Sequence, residues 1–113
     1  MQSAANSDPV VLDLEHLAQY TRGDRALEAE LLGLYQSQAR PQLQEICRAA
    51  LEKDAAAWKF ALHTLKGMSR ALGASGVAEA AAKLEKFPPG QEGLRELEQQ
   101  LAALERLILA RKG

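Results

Sequence analysis

Trp58-Lys59-Phe60-Ala61-Leu62-His63-Thr64-Leu65-Lys66-Gly67-Met68-Ser69-Arg70-Ala71-Leu72-Gly73 carries the period of an amphipathic helix. At about 100° per residue, Trp58, Leu62, Leu65, Ser69 and Leu72 gather on one stripe, with Ala61 and Met68 at its margin. That stripe is the side a helical bundle buries. On the same plot His63 points roughly 140° from the stripe's centre, flanked by Lys59, Lys66 and Arg70. An imidazole held toward water among three cations is poorly placed to fill a core.

The same punctuation recurs on either side. Asp54 is the cap of this helix and Gly73 its exit, since glycine accepts the left-handed backbone that helix ends require. Upstream, Asp13 caps a short helix whose apolar side is Leu14, Leu17 and Tyr20, and Gly23 ends it. Asp24 then opens a long helix to about Lys53. Leu27, Leu31, Leu34 and Tyr35 form one apolar face of it, and Leu43, Ile46, Cys47 and Ala50 a second, turned by roughly a third of a turn. Pro41 lies between the two groups, so one kinked helix is expected. Downstream, Ser75 starts a helix with Val77, Ala80, Ala81 and Leu84 facing inward, and Pro88-Pro89-Gly90 stops it. A last helix from about Gln91 places Leu94, Leu97, Leu101, Leu104 and Ile108 on a heptad-like seam.

These segments predict an all-α fold, an antiparallel four-helix bundle with a short N-terminal capping helix. A disordered lead is expected over residues 1–9 and a single domain over residues 10–113. A chain of 113 residues leaves no room for a second core. With 4% aromatics, that core must come from aliphatic and small side chains, and Ala, Leu, Glu, Gln, Lys and Arg are good helix formers.

Charge and composition exclude several functions. A net charge of −1 gives no bulk attraction to nucleic acid or anionic membrane, so neither is an expected partner. No apolar run approaches the roughly 20 residues of a membrane span, and the N-terminus lacks the pattern of a secretory signal, so a cytoplasmic protein is expected. Cys47 is alone, and two distant histidines with one cysteine make no metal cluster; no cofactor of its own is expected.

What remains is the exposed helix face around His63. A phosphohistidine site needs a neutral, accessible imidazole, a cation near the phosphoryl oxygens, and small neighbours that let another protein approach. His63 supplies the ring. Lys66, one turn on, offers the charge, with Lys59 and Arg70 extending the cationic flank. Gly67, four residues beyond His63, costs about 1 kcal/mol against alanine inside a helix, which suggests that a side chain there would obstruct a visitor. Phe60 is an apolar candidate for contact with that visitor. His16, with no basic neighbours and no glycine clearance, reads as an ordinary histidine.

The run His63-Thr64-Leu65-Lys66-Gly67, the exit Leu72-Gly73-Ala74, a following helix ending Leu84-Glu85, and a long preceding helix with a proline before its Leu-rich half together resemble the histidine-containing phosphotransfer (HPt) domain. The resemblance covers nearly the whole chain. It implies that His63 accepts and donates a phosphoryl group, that Lys66 steadies its charge and that Gly67 gives clearance. Lys59, Phe60 and Arg70 would meet the partner. That partner would be a receiver domain of a hybrid sensor kinase or response regulator, which brings the acceptor aspartate and Mg²⁺. Phosphate would enter from one receiver and leave to another in a His–Asp phosphorelay. With no Gly-rich phosphate loop, the chain is expected to be a carrier without kinase activity, and a monomer. Glu85 receives no role. Two other readings stay open: an adaptor bundle that docks receivers without accepting phosphate, and a dimerisation module built on the Leu94–Ile108 seam.

Overall fold

Three aspartates open three helices, and each does so in the same way. Asp13 Oδ1 accepts the backbone N–H of His16 at the start of α1 (Leu14–Thr21), Asp24 Oδ1 that of Leu27 at the start of α2 (Arg25–Glu52), and Asp54 Oδ1 that of Ala57 at the start of α3 (Ala55–Leu72). The short α4 (Ser75–Leu84) follows from an Ala74 cap that makes no side-chain bond, and α5 (Leu94–Lys112) closes the chain. This computed structural model describes residues 10–112, so the lead expected over residues 1–9 lies outside the described residues.

Among the described residues the protein is a bundle of helices without strands. Each helix from α2 to α5 packs on the next, and α2 meets α5 to close the ring. Side chains far apart in sequence fix the directions. Arg111 forks onto Glu28 with two bonds of 2.7 Å, and Arg40 forks onto Glu105 at 3.1 and 2.6 Å, so α2 and α5 run in opposite senses. The core is almost entirely Leu, Ala, Ile and Val, with Trp58 and Tyr35 as its aromatics. Leu94, Leu97, Leu101, Leu104 and Ile108 all lie inside it. The C-terminal seam is therefore occupied by the chain's own core, and the dimerisation reading built on it is not favoured.

Three expectations are corrected. α2 is the one helix expected through Pro41, but its buried residues (Leu32, Tyr35, Ala39, Leu43, Ile46, Ala49, Ala50) keep a single stripe with no rotation between its halves. Glu28 and Leu32 begin that stripe. A glutamate at a core position is legible only once its partner Arg111, on the last helix, is known. Leu27 and Leu31 are consequently half-buried beside the stripe, and Leu34 is exposed. In α1, only Leu17 of the three expected apolar residues is buried; Leu14 and Tyr20 are exposed, and Thr21 is buried instead. The exit from α1 is taken by Arg22 (φ +50°), one residue before Gly23, whose own φ is +85°.

α1 is fastened to the far end of α3. Asp13 donates its N–H to Gly73 O at 2.8 Å, and Gly76 donates to Val10 O at 2.8 Å. His16 Nε2 lies 2.9 Å from Ala71 O, and because a carbonyl only accepts, that nitrogen carries the proton. Glycine clearance, expected to be missing at His16, is present: a Cβ at Gly73 would stand 3.3 Å from the His16 ring and 3.1 Å from Asp13 O. Gly73 also has φ +98°, so it is fixed twice over. His16 is a structural clasp.

Candidate functional site

His63 stands on the outer face of α3 with its side chain 74% exposed. The stripe expected from the sequence explains why: Trp58, Ala61, Leu62, Leu65 and Ser69 are buried on the opposite side, which holds the helix in this rotation. The other residues singled out with it occupy the same face. Lys59 and Arg70 are exposed, and Phe60 is 72% exposed, an unusual position for a large aromatic. Gly67 is exposed, and a Cβ built there would meet nothing within 4 Å. Nothing among the described residues therefore requires glycine at that site. Gly33 in α2 is similarly unobstructed, so it is the adjacent imidazole that gives Gly67 its meaning.

Lys66 is placed differently from its lysine neighbour. Its side chain is only 18% exposed, and its ammonium bonds Glu85 Oε1 at 2.5 Å. The second oxygen of that carboxylate, Oε2, lies 3.5 Å from His63 Nδ1. Glu85, to which the sequence assigned no role, thus joins the cation and the imidazole. It sits at the C-terminal cap of α4, its N–H bonded to Ala81 O at 3.1 Å. α4 packs directly on α3, and most of its buried residues are small (Gly76, Ala78, Ala80, Ala81); Gly76 among them faces Gln100 of α5. Two residues later, Phe87 O accepts the Trp58 indole N–H at 2.9 Å, tying the segment back to α3. Glu85 is fixed from both directions. Its side chain is 19% exposed, so the pair with Lys66 is shielded enough to matter.

The other flank of α3 is apolar. Leu27, Leu31 and Leu34 from α2, Met68 and Leu72 from α3, and Tyr20 from α1 line an open groove of about 490 Å³. The Tyr35 side chain forms part of its lining, and its hydroxyl bonds Ser69 Oγ at 2.7 Å. Burial pushes that phenol up to about 12 despite the bond to Ser69, so it stays neutral. The groove reaches Met68, about 7.5 Å along the helix from His63 at 1.5 Å per residue. Of the apolar face expected over Leu27, Leu31 and Leu34, the first two are half-buried at the edge of the core and Leu34 is exposed.

Among the described residues no group of three His, Cys, Asp or Glu side chains is arranged as metal ligands, and no helix is long and apolar enough to cross a membrane. A comparison with family models matches the Hpt domain over residues 30–111. The chain belongs to the Hpt domain family. Searches of curated proteins and of solved structures found no significant match. Hpt domains are phosphocarriers of two-component phosphorelays and interact with receiver domains. In this Hpt domain the match runs from the second turn of α2 to the last turn of α5, and α1 lies outside it.

Proposed function

We propose that this Hpt domain accepts a phosphoryl group from a receiver-domain aspartate on His63 and passes it to another receiver. The observation that carries the reading is an imidazole almost wholly in solvent, with a carboxylate-held lysine at its base and an unobstructed glycine one turn along. Nδ1 faces the half-shielded Glu85, which leaves Nε2 as the nitrogen directed outward. A ring whose Nδ1–H is turned toward a carboxylate presents its lone pair at Nε2, where the nucleophile is needed. The 3.5 Å contact is loose, as such contacts often are before the reacting partner docks.

Lys66, one helical turn from His63 and bonded to Glu85, shares its charge with the phosphoryl oxygens on His63, while Lys59 and Arg70 lend a positive surround to an approaching acyl phosphate. Gly67 gives the receiver's backbone room. The apolar groove from Tyr20 to Leu72 supplies docking area, since an exposed apolar patch beside a reactive residue is the usual mark of a partner site. The receiver contributes the aspartate and the Mg²⁺ that neutralises its phosphate.

The test is direct. The chain is incubated with a receiver domain charged by a small-molecule phosphodonor. Acid-labile label is expected on the chain and none on His63→Gln. Equal labelling of the two proteins rejects the assignment.

A further inference from the structure

Glu85 offers its charge, and not only a hydrogen-bond acceptor, to the imidazole. We infer that Glu85 is a positioning residue that keeps the proton on His63 Nδ1 in the phosphorylated state, so that the loaded histidine empties quickly into the next acceptor. This rests on the reading of His63 as the carrier.

The arrangement comes from two elements. On the ring's side of α3 are the cations Lys59, Lys66 and Arg70; from the end of α4 comes the anion Glu85, followed in sequence by the exposed Lys86. The carboxylate divides its oxygens, Oε1 to Lys66 and Oε2 toward Nδ1. It is anchored by the α4 cap and by the Trp58–Phe87 bond, so it stays at Nδ1 after the phosphoryl group arrives.

In loading, the Nε2 lone pair attacks phosphorus of the aspartyl phosphate. An N–P bond forms, the P–O bond to the aspartate breaks, and the aspartate carboxylate leaves with the electron pair. No proton moves. The ring now carries phosphorus on Nε2 and hydrogen on Nδ1, and is cationic.

In unloading, a carboxylate oxygen of the next aspartate attacks phosphorus. The N–P bond breaks and its electron pair returns to Nε2, leaving a neutral imidazole. Without the Nδ1 proton the departing group would be an imidazolate, a far stronger base and a poor leaving group. An anion at Nδ1 holds the ring in the form that leaves easily. A carboxamide in its place accepts the same hydrogen bond but lacks the charge.

The experiment compares the wild-type chain with Glu85→Gln, Glu85→Asp and Glu85→Ala, each loaded from a phosphorylated receiver and then mixed with uncharged receiver over a range of pH. Glu85→Gln is expected to load His63 within a few-fold of wild type and to empty about tenfold more slowly at neutral pH, the size of one charge acting through partly screened space. The deficit should close as pH falls, because solvent then protonates the ring. Glu85→Asp, which keeps the charge, should recover most of the rate, and Glu85→Ala should load slowly as well. Emptying of Glu85→Gln at the wild-type rate, or a deficit that is the same at every pH, overturns the proposal while leaving His63 as carrier. No label on His63 of the wild-type chain removes both.

Discussion

The two flanks of α3 differ in kind. Toward α4, His63 faces a fixed polar pair, Lys66 and Glu85, about one-fifth exposed and held by a helix cap and an indole bond. Toward α2, the helix faces an open groove whose walls are mostly leucine, methionine and tyrosine, with Gln38 and Ala71 among them. One flank is built to hold charges at set distances, the other to lose water when covered. A carrier needs both: the chemistry must be exact to within fractions of an ångström, whereas docking must be strong enough to align and weak enough to release.

The comparison breaks most readily through the groove. Leu34 is exposed, so Leu34→Glu should leave stability within about 0.5 kcal/mol. It should weaken receiver binding by roughly 10–100-fold, with transfer recovering at saturating receiver. Binding measured by calorimetry at unchanged affinity would mean the groove is not the docking face. Gly67 sharpens the boundary between the flanks. Gly67→Ala has open space and gains up to about 1 kcal/mol of helix propensity, read as a raised Tm. Gly67→Leu should fold equally well yet transfer at least about tenfold more slowly, because only the docked state is crowded. A full transfer rate in that variant removes the clearance role.

A control lies away from both flanks. Arg111 beside Glu28 holds that carboxyl below its usual range, so the pair stabilises the fold above the ordinary carboxylate pKa and the contribution is lost as pH falls toward the depressed folded value. Glu28→Gln should cost about 1–3 kcal/mol in denaturant melts at neutral pH, a loss that shrinks in acid, with His63 labelling unchanged. Smallest is Phe60→Ala. A few-fold weaker receiver binding, with no change in Tm, is expected from an aromatic that touches only a visitor.

Legibility in the sequence followed the range of the interactions. The aspartate caps, the α3 stripe and the outward His63 are set by neighbours within one or two turns, and all could be read from spacing. Glu85 could not, because its role depends on the packing that brings the end of α4 beside Lys66 and His63 of α3. Glu28 was missed because its counter-ion lies 83 positions away. The groove was half visible: α2 carries more apolar residues than one buried stripe can use. That surplus suggests a rotated second stripe, whereas it lines a surface groove.

Trp58 is the chain's sole tryptophan, and its ring nitrogen is bonded to the segment just past Glu85. The protein therefore contains its own optical reporter. Emission from that single indole will register whether the stretch after α4 stays fastened or peels away when a phosphoryl group is loaded, with no dye attached.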